Sequence, residues 1–435
     1  MSTVTEVSSL ATVQRRTVRV LVASNVLGGV GVASGIAVGG LLAEQVSGST
    51  SLAGLAQTGT VLGAALLALP LIRVADAVGR RGALALGYGL GLAGAVLAVT
   101  AAVLSWFWLL LVATVLFGGG TASNLQARYA ATDAATEVAR GRALSVVVWA
   151  TTVGAVAGPN LSGLGGSLGR ALGVPPLAGP FLFSVVSFGT AATAVLLLLR
   201  PDPLRTVRAA HAVREGAVRP ARPRLAETLR AVATRPRARL GLAAVTVGHA
   251  VMVGVMVMTP VHLGHHGATL TVVGVVISLH VAGMYALSPV MGWLADRAGR
   301  VATIGVGLGV LAASVVVGAL APPQDHALVG LSLFLLGVGW SGTLVGGSTL
   351  LSESVPPEVR TAVQGTSDLT MGLAGALAGA LAGPVLAWGG FTVLTWCAGA
   401  LLVPVVVQAL LVRRAAPGAA TSGPARLSRS GRASR

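Results

Sequence analysis

The sequence predicts an all-α polytopic membrane protein, and three observations predict it. Over half of the 435 residues are hydrophobic (54%) and only 10% are charged, a balance that leaves a water-soluble domain too little polar surface to cover itself. Apolar runs of about 20 residues recur from end to end, the length a helix needs to cross a hydrocarbon core of roughly 30 Å. Sixty glycines are spread through those runs, where small residues let membrane helices approach closely. A membrane barrel would need alternating segments of about 10 residues, which are absent. Helices satisfy their own backbone in lipid.

Twelve spans follow in order: 18–41, 52–72, 83–103, 106–127, 143–166, 179–199, 240–263, 270–292, 301–321, 327–350, 362–387 and 390–412. The fifth is the weakest, because Gly158 and Pro159 interrupt it and predict a kink. Residues 200–239 hold eleven Arg and five Pro, too polar to span. They divide the chain into an N-terminal arm (1–17), a six-helix bundle (18–199), a basic linker (200–239), a second six-helix bundle (240–412) and a basic tail (413–435).

The formal charge of +17 raises the possibility of a nucleic-acid partner, and the placement of the charges argues against it. All thirty basic residues are Arg. With the N-terminus in the cytoplasm, twenty-nine fall in the arm, the even-numbered loops and the tail, and only Arg170 lies outside. That asymmetry predicts a multi-pass protein of a bacterial-type cytoplasmic membrane with both termini cytoplasmic. The charge then serves orientation and attraction to anionic lipid. Arg15, Arg16 and Arg19 precede an apolar run too long for a cleaved signal, so the first span is expected to remain as an anchor. Cys397 is alone, which excludes an intramolecular disulfide or a thiolate pair.

A short pattern repeats across the linker. "RVADAVGRRG" (73–82) follows the second span and "GWLADRAGR" (292–300) follows the eighth, with Asp76 and Asp296 220 residues apart. Arg140 and Arg360 share that offset, and Gly158-Pro159 has a counterpart at Gly383-Pro384. Such a repeat predicts two pseudo-symmetric bundles with a substrate path between them. Asp76 and Asp296 can pair with nearby Arg or cap a helix, and Gly79 and Gly299 permit a tight turn.

Twelve spans, a basic central loop and Gly292, Asp296, Arg297, Gly299 and Arg300 in that spacing resemble the major facilitator superfamily of secondary transporters. The first copy, with Asp76, Gly79, Arg80 and Arg81, is degraded: Ile72 and Ala77 replace a Gly and an Arg. The resemblance implies a carrier rather than an enzyme, working by alternating access. It also implies a loop that clamps helix ends in one state, and a monomer without a resident cofactor. "GAVAGPNLSG" (154–163) is similar to a motif of the superfamily's proton-driven exporters, although Val115 stands where their fourth span usually carries Arg. Among ionisable groups within the spans, Asp368 is a candidate proton carrier or a partner of Arg360.

The seventh and eighth spans hold the remaining signal. Five of seven Met and five of seven His lie between His249 and Met291. Treated as an antiparallel hairpin at 1.5 Å per residue, the two spans place Met252 level with His280 and His249 level with Met284. His249, Met252 and Met256 share one helical face, while Met258 points elsewhere. His262, His265 and His266 lie at the outer mouth and form a possible access path for a metal ion. Thioether and imidazole without carboxylates suit Cu(I) as the transported substrate. "MVGVM" (252–256) and "HVAGM" (280–284) resemble the paired motifs of CcoA-type bacterial copper importers, which implies metal handling by Met252, Met256, His280 and Met284. The expectation is therefore copper uptake. The alternative is proton-coupled efflux of a small amphipathic compound.

Overall fold

The structure is a computed structural model that describes residues 2–212 and 225–414. The first bundle comprises α1 (Ser2–Ser47), α2 (Leu55–Val78), α3 (Arg80–Leu104), α4 (Phe107–Asp133), α5 (Glu137–Asn160), α6 (Ser162–Ala171) and α7 (Gly179–Leu198). Two short helices follow in the linker, α8 (Pro203–Ala212) and α9 (Leu225–Ala233). The second bundle comprises α10 (Pro236–His265), α11 (Leu270–Tyr285), α12 (Ser288–Ala298), α13 (Arg300–Leu320), α14 (His326–Glu353), α15 (Pro357–Ala400) and α16 (Leu402–Arg414).

Eleven helical stretches among the described residues are long and apolar enough to cross a membrane, and the last, Ala362–Arg414, has 53 residues. A straight helix of that length would reach about 80 Å, more than twice the roughly 30 Å hydrocarbon core. It turns back instead at Gly390, whose φ of 72° and ψ of −175° a side chain would resist. Just past the turn, Thr392 donates to the Ala319 carbonyl at the end of α13. The result is twelve crossings, with the last boundary where the sequence places it.

Two predicted boundaries move. The first helix begins well before residue 18, and α10 begins inside the predicted linker, at Pro236. The fifth crossing breaks at Leu161, immediately after Pro159 and Asn160. The eighth is also broken, at Ala286 and Leu287, where Pro289 in the first turn of α12 cannot continue the hydrogen bonding of α11. The tail beyond Arg414 lies outside the described residues.

Each bundle has its own core. The first is built on Tyr88, Phe117, Phe181 and Phe188, with the Phe117 ring 5.2 Å from Phe188 and 5.6 Å from Phe181. The second is aliphatic and centred on α10, α13 and α14. Exposed Leu369, Leu373, Leu377 and Leu381 recur every fourth residue along α15, a stripe suited to lipid. Gln14 and Arg16 at the start of α1 donate to carbonyls at the ends of α4 and α7. We call this side, which also carries the linker helices, the basal face, and the opposite side the distal face.

The bundles touch through their distal halves. A Cβ on Gly54 (before α2) would fall on the Gly379 carbonyl of α15, and one on Gly274 (α11) would fall on the Pro159 carbonyl of α5. Hydrogen bonds reinforce both seams: Thr58 to the Ala376 carbonyl (2.9 Å), Asn160 to the Ser278 hydroxyl (2.8 Å) and Ser278 to the Val156 carbonyl (2.9 Å). At the distal rim His265 meets Glu44 at 2.9 Å. Glu44, given no role from sequence, is therefore part of the closure, as is the hydroxyl of Thr50 that donates to it.

Candidate functional site: a basal crevice between the bundles

The repeated loops organise the basal rim. Arg80 pairs with Asp133 at 2.7 Å, and Arg300 pairs with Glu353 at 2.9 Å. Both pairs span 53 residues, and Asp133 and Glu353 are themselves 220 apart, so the internal repeat extends to acidic partners that the motif does not contain. Asp76 is held by Arg208 of the linker at 2.6 Å. Asp296 stays largely exposed and, among the described residues, reaches only Arg300, at 3.5 Å. Arg297 lies 5.6 Å from the Trp293 ring, and Gly292 has open space around it.

Asp202 fastens the linker to the first loop. Its carboxylate accepts from the Arg81 backbone N–H at 2.8 Å and from those of Leu204 and Arg205 at 3.0 and 3.1 Å, capping α8. Gly79 has φ 95° and its missing Cβ would fall on that carboxylate, whereas Gly299, at φ 91°, has nothing within 4 Å. Gly79→Ala should therefore lower thermal stability more than Gly299→Ala. Both incur a left-handed backbone cost of about 1–2 kcal/mol, and only the first also disrupts the Asp202 clasp. Thermal unfolding of the two purified variants checks this; equal losses would contradict it.

The Met/His candidates do not form one cluster. The hairpin geometry fails because α14 packs between α10 and α11, which meet sparsely. Met252 and Met258 are buried in the second bundle's core, and Met284 packs against it. Met256 turns toward the first bundle, where it lines a narrow distal chamber with Gly35, Gln57, Thr60, Thr114 and Phe117. That chamber has room for about one water. His280 turns toward α14 and donates through Nδ1 to the Leu333 carbonyl at 2.8 Å, which leaves Nε2 buried without a partner among the described residues.

The mouth histidines are engaged elsewhere. His262 stacks on Phe391 at 4.3 Å, His266 Nδ1 donates to the His262 carbonyl at 2.7 Å, and His265 binds Glu44. Among the described residues, no three His, Cys, Asp or Glu side chains are grouped to hold a metal.

What the structure does bring together is a polar and aromatic group in the second bundle, with Trp340 itself buried in that bundle's core. His249 accepts the Trp340 indole N–H on Nδ1 at 3.1 Å, so its remaining hydrogen sits on Nε2 when the ring is neutral. That Nε2 lies 2.9 Å from where a Cβ on Gly375 of α15 would stand. Tyr285 packs edge-on against Trp340 at 5.9 Å. It is the last residue of α11, presented by the break in the eighth crossing.

From the opposite bundle, Arg128 is half-buried near the basal end of α4. Asp368 lies seven residues before Gly375 and eleven before Gly379, within about 20° of each on a helix of 3.6 residues per turn. Gly375 and Gly379 face α10 and α2, so Asp368 faces the seam. It is exposed there. The expected partner Arg360 is exposed and makes no ion pair with it among the described residues.

Sequence reasoning missed Arg128, Tyr285 and Trp340. Arg128 counted as a loop cation just beyond the predicted fourth span. Trp340 read as one more apolar residue, although it is the lone Trp within the tenth span.

Comparison with known proteins agrees with this architecture. The sequence model of the Major Facilitator Superfamily matches residues 20–269 and 255–434. The chain is 39% identical over 399 residues to the uncharacterized MFS-type transporter YddS of Bacillus subtilis, covering 90% of each protein. It is 31% identical over 413 residues to the riboflavin transporter RfnT of Brucella anthropi, covering 94% of this chain and 98% of that protein. Among solved structures, a bacterial homolog of the human lysosomal transporter Spinster aligns over 92% of this chain and 97% of its own, with TM-score 0.68 and 15% identity. A D-xylose-proton symporter aligns over 91% and 96%, with TM-score 0.67 and 16% identity. Two six-helix bundles joined at one face, a 220-residue internal repeat and these matches lead to one conclusion: the chain belongs to the Major Facilitator Superfamily and is a membrane transporter.

Proposed function

We propose that the protein carries a small, planar organic solute by alternating access, from a site walled by Trp340, Tyr285 and His249. The observation that carries the reading is the aromatic corner at the crevice. The partly exposed Tyr285 phenol offers an apolar face to a flat ring, with the buried Trp340 indole packed edge-on behind it, and a histidine ring joined to the indole adds hydrogen-bonding capacity beside them. The similarity to a riboflavin transporter over nearly the whole chain supports a solute of this class. The Arg asymmetry supports a cytoplasmic basal face in a cell membrane. Asp368, in the open half of the crevice, is the proposed proton carrier.

Copper remains the second reading because of one feature. His280 donates through Nδ1 to a backbone carbonyl and buries a free Nε2, as imidazoles that ligate metal do. The separation of Met252 and Met256 from His280 and Met284 by α14 weighs against it in this conformation.

Cells making the protein separate the two readings. Riboflavin, as the probe, is expected to show protein-dependent movement across the membrane, lost in His249→Ala and kept in Met252→Leu. Radiocopper accumulation that is lost in Met252→Leu and His280→Ala, with no movement of riboflavin, would replace the organic-solute reading with the metal one.

A further inference from the structure

We propose that an anionic phospholipid of the distal leaflet binds where the two bundles meet, with its phosphate on Arg170 and one acyl chain in an apolar trough between α11 and α14. The proposal rests on the protein being a membrane transporter and not on its solute.

The trough has a volume of about 620 Å³ and nearly all of its wall is apolar. Val275 and Leu279 of α11 and Leu331 of α14 line it and stay exposed, 44%, 46% and 46% respectively. Gly330 of α14 forms the floor. A Cβ there would meet only a Val276 methyl, at 3.5 Å, so the missing side chain is what keeps the depression open. Both helices begin at the distal side, and the trough runs down them from Thr271 to Leu279 and from His326 to Phe334. At 1.5 Å per residue that is about 12 Å, close to the depth of one leaflet of a hydrocarbon core of roughly 30 Å. An apolar surface of that depth, facing hydrocarbon, takes an acyl chain.

The polar groups stand at the distal end. His326 lies there on α14, its Nε2 donating to the His266 carbonyl at 3.3 Å. Thr271 lies there on α11, against Gly163 of α6. One turn further along α6, a Cβ on Gly166 would stand 2.8 Å from Leu270 Cδ1 and 4.0 Å from an Arg170 guanidinium nitrogen. Arg170 therefore sits beside the first residues of α11, although it belongs to the other bundle. Ser167 steadies it, accepting from Nη2 at 3.1 Å. The side chain is exposed and pairs with no carboxylate among the described residues.

Arg170 is also the one Arg of thirty that the sequence leaves on this side of the predicted spans. A cation kept there against the charge asymmetry, at the polar end of a hydrocarbon-facing trough, matches a lipid phosphate. The guanidinium fork suits its two free oxygens, and Thr271 adds a hydroxyl beside it. Because α6 and α11 belong to different bundles, the site is complete only while the distal seam is closed.

The test uses the full-length protein in phosphatidylcholine vesicles doped with a limiting amount of phosphatidylglycerol that carries a photoactivatable diazirine in one acyl chain. Illumination should tag residues 271–279 and 326–334, read by peptide mass spectrometry. Arg170→Gln should cut that tagging about tenfold, the scale of one charge-assisted contact, and Arg170→Lys should restore most of it. Gly330→Leu, whose side chain fills the floor, should abolish it. Tagging of the exposed leucine stripe on α15 is the reference and should not change. Equal tagging by a phosphatidylcholine probe, or tagging indifferent to Arg170→Gln, overturns the proposal. So does a disulfide-linked dimer of Leu331→Cys in a Cys397→Ser background, which removes the free cysteine, because the trough would then belong to a second copy of the chain.

Discussion

Transport is expected to stop in a Gly54→Leu variant that folds and inserts normally. The distal seam closes only because Gly54 and Gly379 leave no side chain between α15 and the entry to α2. Forcing bulk into a packed contact costs about 1–3 kcal/mol in the closed form and nothing where the seam is open. A bias of that size moves a two-state equilibrium by roughly 5- to 150-fold, enough to trap a carrier that must pass through both states. Gly39→Ala is the control: its added carbon meets only the Ala56 Cβ at 3.9 Å, an ordinary contact, and transport should persist. Measuring initial rates at matched abundance decides the matter. Normal transport by Gly54→Leu would mean that the seam is not part of the cycle.

Trp340→Leu is expected to raise the half-saturating solute concentration by roughly 30- to 150-fold while the protein stays inserted. The change removes the ring that Tyr285 packs against and the N–H that orients His249. Losing an aromatic wall and its hydrogen bond is worth about 2–3 kcal/mol, which sets that range. Trp340→Phe keeps a ring but loses the N–H, so it should fall between. If Leu and Phe are equally mild, Trp340 packs the second bundle and the solute binds elsewhere.

The membrane crossings were legible because their cause is local: an apolar run of sufficient length is a span whatever its neighbours. Gly390 shows how far this reaches, since the sequence boundary between the last two spans coincides with its left-handed turn. The 220-residue offset was legible too, but only where the motif spells itself out. Asp133 and Glu353 obey the same offset and went unnoticed, because a carboxylate at a helix end has no signature until its Arg partner is seen.

The hairpin geometry behind the Met/His reading turned on a non-local fact. Depth and face along α10 and α11 were reasoned from helix geometry, yet whether two consecutive helices are neighbours depends on what packs between them. Here α14 does, held against α11 by the closeness of Gly337 to the Met284 backbone. Trp340 illustrates the same limit: in sequence it is one apolar residue within a span, and only the packed structure brings its N–H to His249.

Movement of a planar organic solute past the Trp340–Tyr285–His249 corner, as proposed above, is open to direct measurement. Counterflow in proteoliposomes of the purified protein tests it most directly, because exchange needs neither a known coupling ion nor a known direction. Vesicles loaded with unlabelled riboflavin should accumulate labelled riboflavin transiently, and those holding Trp340→Leu should not. No exchange of riboflavin by the unaltered protein, with radiocopper exchanging in its place, would contradict the account.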